Sequence, residues 1–145
     1  MDRAAGESGN DQPTRSRPAG VAGRRVLIVD DEPSIRLLCR VNLELEGMVV
    51  SEAATGDEAL ELARAQPPDA MVLDVAIPPP DGWEVAARLL SDPATASIAI
   101  VFLSAYAEAA SRARAIELGG VDYITKPFDP EELTEVLERS LVRAR

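Results

Sequence analysis

The sequence predicts a doubly wound α/β fold, with five parallel strands in the order 2-1-3-4-5 and five helices. Three observations carry that prediction. Short apolar runs recur along the chain, Val26-Leu27-Ile28-Val29, Ala70-Met71-Val72-Leu73 and Ile98-Ala99-Ile100-Val101-Phe102-Leu103 among them, as expected of parallel strands buried on both faces. Segments with helical spacing separate these runs, so strand and helix alternate five times. Four runs end in reactive polar residues: Asp30-Asp31, Asp74, Ser104, and Lys126-Pro127 after Val121-Asp122-Tyr123-Ile124-Thr125. In an open parallel sheet, sites form outside the carboxyl ends of the strands. Three carboxylates, a hydroxyl and an ammonium should therefore converge on one edge.

Each element has its own local signals. The first strand covers about 25–30. The first helix covers about 34–46, with Pro33 near its start and Ile35, Leu38 and Leu45 on its expected apolar face. A second strand at 48–53 precedes a helix at 56–65, where Thr55 and Glu58 form a capping box and Pro67-Pro68 ends the segment. The third strand covers 69–74. The proline-rich loop Ile77-Pro78-Pro79-Pro80-Asp81-Gly82 leads to a helix at 83–91, closed by Asp92-Pro93. Strand four covers 98–103 and helix four 107–118, which stops at Gly119-Gly120. Strand five covers 121–125. The last helix, 130–143, has Asp129 as N-cap, Pro130 at its first position, and Leu133, Val136, Leu137 and Leu141 facing inward. The whole fits a flavodoxin-like sheet. Residues 1–23, rich in Gly, Ser, Pro, Arg and Ala without periodicity, are expected to be a disordered leader to a single domain over 24–145.

Composition narrows the function. With 145 residues, 46% of them apolar, the chain can bury one domain's core. The longest apolar run is far too short for a membrane span, and the N-terminus lacks the apolar centre of a secretion signal. A single cysteine, Cys39, precludes an internal disulfide and fits a cytoplasmic setting. The net charge is −10, and the three acids and three bases of residues 1–23 cancel, so the acidity belongs to the folded part. Such a surface repels nucleic acid and suits a protein partner. There is no histidine, which excludes His-based zinc sites, triads and phosphohistidine carriers. Lys126 is the only lysine. Where arginine serves every other cation, the surviving lysine points to a role arginine cannot fill.

Asp30, Asp31 and Asp74 at neighbouring strand ends repel one another unless a cation neutralises them. Hard oxygen ligands in this number suit Mg²⁺; the plainer alternative is three solvated loop acids. Asp74 closes a very apolar strand, and a rigidly held carboxylate can attack phosphorus. Phosphoryl transfer rests on positioning and charge neutralisation. A divalent cation supplies part of that charge, and Lys126 can pair with a phosphoryl oxygen. Ser104 can donate to such an oxygen, although serine is common at strand ends. Tyr123 reads as core filler with a polar tip, or as a rotamer switch. X-Pro bonds are cis in only about 5–6% of cases, so spacing alone does not argue for a cis bond before Pro127.

Taken together, Val26 to Pro33, Asp74 with Ile77 to Gly82, Ser104-Ala105, and Gly119 to Phe128 resemble the receiver domain of bacterial two-component response regulators, of the stand-alone chemotaxis-regulator-like kind. The resemblance covers about residues 24–143. It implies Asp74 as phosphoacceptor and Asp30 and Asp31 as the acidic pair holding Mg²⁺, joined by the Ala76 carbonyl. It implies a phosphoryl contact from Lys126 through a cis peptide to Pro127, and Ser104 with Tyr123 as a coupled switch. The implied donor is a sensor histidine kinase. The implied output is a changed helix-four, strand-five and helix-five surface that binds a partner protein. Ile77, the three prolines, Gly120 (where relatives often have Ala) and Ala76 (where they often have a polar residue) depart from the common pattern, and Gly120 is expected to loosen its turn.

Most members of that family carry an effector after the last helix, and this sequence stops at Arg145. A phosphorelay intermediate and a phosphorylation-independent scaffold are the alternative readings. A haloacid-dehalogenase-type hydrolase is disfavoured because Ala76 stands where its second Asp belongs. The chain is thus expected to be no enzyme beyond phosphoryl transfer to, and hydrolysis from, its own Asp74. A monomer or a phosphorylation-dependent homodimer is expected. Arg112, Arg114, Glu135, Glu138 and Arg139 are available for cross-subunit pairs, and the arginine that dimerising relatives usually carry near the place of Val136 is absent, which argues against that dimer. Cys39 and Trp83 are expected to be packing residues.

Overall fold

The computed structural model describes residues 21–106 and 108–143. Its sheet contains β1 (Arg25–Val29), β2 (Val49–Ala53), β3 (Ala70–Asp74), β4 (Ala99–Ser104) and β5 (Asp122–Thr125). Between and after them lie α1 (Pro33–Leu45), α2 (Gly56–Ala65), α3 (Gly82–Leu90), α4 (Ala109–Glu117) and α5 (Pro130–Arg143). All strand pairs are parallel, in the spatial order β2-β1-β3-β4-β5. The expected topology is thus present, with element ends moved by one or two residues. No helix among the described residues is long and apolar enough to cross a membrane.

The period of two along each strand sorts side chains between two cores. Leu27, Val29, Met71, Leu73, Ile100, Phe102 and Tyr123 point to one face, where Ala59, Leu60, Ala63, Val85, Ala86, Leu89 and Ala115 bring α2, α3 and α4 against the sheet. Val26, Ile28, Val72, Val101, Leu103 and Ile124 point to the other, covered by Cys39 and Leu43 of α1 and Leu133, Val136, Leu137 and Leu141 of α5. Every residue of β3 and β4 is buried, whereas the edge strand β2 has two exposed positions among its five. The central strands are therefore the rigid ones, and they end at the site.

Local chemistry closes the helices as their sequences suggest. Thr55 Oγ1 accepts from the Glu58 N–H at 3.1 Å, and Glu58 reaches back to the Ala54 N–H at 2.8 Å. Asp81 caps α3 through the Glu84 N–H, and Asp129 accepts from the Glu131 N–H at the start of α5.

Three expectations need correction. The apolar face of α1 is Ile35, Cys39 and Leu43; Leu38 is 37% and Leu45 74% exposed. Residues four apart stack along a helix, and Leu45 lies about 200° round the axis from Leu43. Residues 21–23 belong to the packed domain: Val21 is fully buried, and the Gly23 N–H donates to the Gly47 carbonyl at 2.8 Å. Residues 1–20 lie outside the described residues. Gly120 is not a loosened turn. A Cβ there would lie 2.5 Å from Phe102 Cε2, so the missing side chain is what lets the aromatic ring pack. Trp83 leans on the same ring, with centroids 4.9 Å apart.

Candidate functional site

Sheet register assembles the site. Val29 pairs with Leu73, Asp74 with Leu103, and Ser104 with Thr125. The next residues on β1 and β5 are Asp30 and Lys126, so all the expected groups follow in a row at the carboxyl edge. Reach to Asp74 depends on the following loop. The Val75 N–H donates to the Leu103 carbonyl, and the Gly82 N–H donates to the Val75 carbonyl. A Cβ on Gly82 would lie 2.5 Å from the Asp74 carbonyl oxygen. Only glycine lets α3 begin directly over the backbone of Asp74.

Asp30 is fully buried and Asp74 nearly so, while Asp31 is exposed. One carboxylate oxygen from each of the three lies within 4.8 Å of the others. Lys126 Nζ sits 2.9 Å from Asp30 Oδ2 and 3.1 Å from Asp74 Oδ2. The contact to Asp74 is an aligned hydrogen bond; that to Asp30 Oδ2 is an ion-pair distance only, and this buried oxygen has no hydrogen-bond partner. The other oxygens are held by backbone: Asp30 Oδ1 accepts from Glu32 N–H at 2.9 Å, and Asp74 Oδ1 from Ala76 N–H at 3.0 Å.

The charges respond to this crowding. Burial pushes the Asp74 carboxyl above the ordinary aspartate value; the Ala76 N–H opposes this, and the Asp30 charge adds to it. For Lys126, burial favours loss of the proton, but its contacts with Asp30 and Asp74 outweigh that and hold the ammonium above its ordinary value. The buried Asp30 oxygen, ion-paired to Lys126 but without an aligned hydrogen bond, forms with two further carboxylates a donor set that fits a hard divalent cation. One lysine is a point charge among three acids and leaves the cluster net negative.

Two further expected residues meet at the next strand end. Ser104 is fully buried, and its Oγ accepts from the Tyr106 N–H at 3.0 Å. Tyr123 is also buried, and its hydroxyl donates to the Tyr106 carbonyl at 2.5 Å. The two side chains grip the backbone of the same loop residue, one at its N–H and one at its carbonyl. The peptide between Lys126 and Pro127 is cis, as is that between Pro79 and Pro80.

Sequence reading missed the residues that surround the site. Arg36 Nη1 donates to the Asp30 carbonyl at 2.7 Å. Arg112 stacks over the Tyr123 ring at 5.1 Å and reaches the Tyr123 carbonyl and Thr125 Oγ1. Both are arginines on amphipathic helices, where solvated charge is the default reading; only proximity across elements reveals their partners. The arginines earlier considered for cross-subunit pairs are engaged within the chain: Arg112 as described, Arg114 over Trp83, and Arg139 with Asp122 at 3.2 Å.

Residues 26–138 match the family model of the response regulator receiver domain. The chain belongs to that family. This receiver domain is 40% identical over 119 residues to a probable transcriptional regulator (ycf27) of Guillardia theta, covering 82% of this chain and 45% of that protein. It is 39% identical over 123 residues to the phosphate regulon transcriptional regulatory protein PhoB of Pseudomonas aeruginosa, covering 85% of this chain and 54% of that one. The chain thus spans about half the length of these curated relatives. The crystal structure of a putative response regulator from Chloroflexus aurantiacus superposes with a TM-score of 0.79 at 33% identity, covering 83% of this chain and 99% of that one. The receiver domain of the Francisella response regulator 1452 superposes at 0.80 with 27% identity, covering 85% of this chain and all of that domain (100%). The receiver-domain fold and its acidic pocket, Asp30, Asp31 and Asp74, are therefore common ground between sequence and structure.

Proposed function

We propose that this receiver domain accepts a phosphoryl group from a phosphohistidine of a sensor kinase onto Asp74 and converts it into a changed binding surface. The observation that carries the reading is the Asp74 carboxylate at a rigid strand end, 3.1 Å from Lys126 Nζ and clustered with Asp30 and Asp31. In the transfer, one Asp74 carboxylate oxygen forms a bond to phosphorus. The phosphorus–nitrogen bond to the donor imidazole breaks, and its electron pair leaves with the nitrogen. Asp30, Asp31 and Asp74, with the Ala76 carbonyl, would hold Mg²⁺. When bound, the ion supplies the positive charge that offsets the phosphoryl oxygens. Lys126 supplies the second positive charge at the same place.

Output follows from Tyr106. Its N–H is bound by Ser104 and its carbonyl by Tyr123. A phosphoryl oxygen on Asp74 competes for Ser104: its hydroxyl turns to donate there and leaves the Tyr106 N–H. The β4–α4 loop then shifts between two arrangements, and the surface of α4, β5 and α5 changes with it. That surface carries a groove lined by Arg112, Ile116, Val121, Asp122, Tyr123 and Arg139, where a partner protein docks.

The test is intact-protein mass after incubation with acetyl phosphate and Mg²⁺, with an Asp74→Asn variant and an EDTA control alongside. The expected result is one phosphoryl adduct that requires both Asp74 and the metal. No adduct on folded wild-type protein would leave a phosphorylation-independent scaffold as the reading.

A further inference from the structure

Beyond the acidic cluster itself, a chain of side chains runs from the buried end of β1 to the surface of α1. Asp30 is the last point at which β1 is held by its neighbours. Its N–H donates to the Ala53 carbonyl at 3.2 Å, and its own carbonyl finds no strand partner. Arg36, at the end of the first turn of the following helix, folds back and donates Nη1 to that carbonyl at 2.7 Å. The same guanidinium donates Nε to Glu52 Oε1 at 2.9 Å. Arg40 holds the second Glu52 oxygen at 2.5 Å and in turn pairs with Glu44 at 2.7 Å. Glu52 is kept below the usual carboxylate range, chiefly by the Arg40 hydrogen bond, and so stays charged between its two arginines.

We propose that Arg36 is a positioning residue for the Asp30–Asp31 carboxylates. It caps the Asp30 carbonyl, fixes the turn from which both acids project, and is itself held in place by Glu52. This rests on the reading of those acids as the cation site. The planar fork of Arg36 makes both bonds at once; a lysine has one compact charge and cannot span them in the same geometry. Glu52 also cancels the charge of Arg36, so the tether reaches the acidic cluster without adding a free positive charge beside it.

Two accounts of Arg36 predict opposite signs. If it acts as a positive charge near three carboxylates, removing it strengthens cation binding. If it acts by holding the turn, removing it weakens binding, by roughly tenfold, the scale of lost outer-layer support around a metal. The experiment is titration calorimetry of the full chain with MgCl₂ for wild type, Arg36→Ala, Arg36→Lys, Glu52→Gln and Asp30→Asn, with each fold checked by circular dichroism. Positioning is upheld when Arg36→Ala and Arg36→Lys both lose affinity, the lysine failing to rescue, and Glu52→Gln loses less. Tighter binding in Arg36→Ala, or wild-type affinity in Arg36→Lys, overturns it. Failure of the underlying reading looks different: Asp30→Asn would then bind as wild type does, or wild type would not bind Mg²⁺ at all. Should Arg36→Ala not fold, Arg36→Lys and Glu52→Gln still decide the matter.

Discussion

Replacing Lys126 by Met tests how the site is balanced. Methionine keeps much of the apolar stem and deletes the ammonium. The wild-type side chain is only 17% exposed and lies 2.9 and 3.1 Å from carboxylates that are 0% and 5% exposed. Taking one partner from a buried ion pair costs about 3–5 kcal/mol. The residual exposure of Lys126 places the loss at the lower end, about 3 kcal/mol at neutral pH without divalent metal. Lys126, held above its ordinary value, is fully charged there, so its whole contribution is at stake. As pH falls, Asp74 takes up a proton more readily than an ordinary aspartate, and the deficit of the variant narrows. Mg²⁺ should stabilise the variant more than wild type, because no ammonium competes for Asp30 Oδ2 and Asp74 Oδ2. At one MgCl₂ concentration far above both Kd values, each tenfold tightening of Kd in the variant adds about 1.4 kcal/mol to its gain over that of wild type. Urea unfolding in EDTA and in MgCl₂, at neutral and mildly acidic pH, measures all of this. A loss below about 1 kcal/mol in EDTA, the range of an exposed pair, or an equal Mg²⁺ gain in both proteins, would refute the account of Lys126 as the site's internal counter-charge.

Asp74→Asn should raise the melting temperature of the metal-free protein at neutral pH. The folded carboxyl lies above its ordinary value, so its ionisation opposes folding, and wild-type stability rises as pH falls through the folded value. The gain should vanish below about the ordinary value of 3.8; a gain independent of pH would count against it. Gly82→Ala places a Cβ 2.5 Å from the Asp74 carbonyl and should cost about 1–3 kcal/mol in a urea titration, with reduced phosphoryl uptake because the acceptor's backbone must move; wild-type stability would contradict the close approach. Cys39, buried and with its thiol pushed up to about 12 mainly by burial, should label with a maleimide only in step with unfolding. Rapid labelling of the native chain would show that the Cys39 face of α1 is not held against the sheet.

Much of the fold was legible because each level of the sequence agrees with the next. β3 and β4 are apolar at nearly every position and sit at the centre of the sheet, while β2 carries Ser51 and Glu52 and forms an edge. The capping residues Thr55 and Asp129 act within a turn of their positions, so short-range pattern suffices to find them. Asp30, Asp74, Ser104 and Lys126 were legible for a topological reason: parallel strands deliver their carboxyl ends to one edge. The α1 face was less legible, because Leu37, Leu38, Val41 and Leu45 are apolar yet exposed, and apolar character alone does not say which stripe meets the sheet.

By itself, then, the sequence determined the order of elements, the two-sided core and the chemical groups at the sheet's edge. All of these follow from periodicities of two and 3.6 residues and from local caps. Tertiary structure alone decided which oxygens Lys126 meets, that Asp30 Oδ2 is left without a hydrogen bond, and that Ser104 and Tyr123 hold the two ends of Tyr106. It also decided that Arg36 and Glu52 brace the Asp30 turn, and that Gly82 and Gly120 stand where a Cβ would collide. The reason is distance along the chain. Lys126 and Asp74 are 52 residues apart, and Arg36 and Glu52 are 16 apart. Contacts of that range depend on the register of strands and the rotation of helices, to the ångström, and no short window of sequence encodes either.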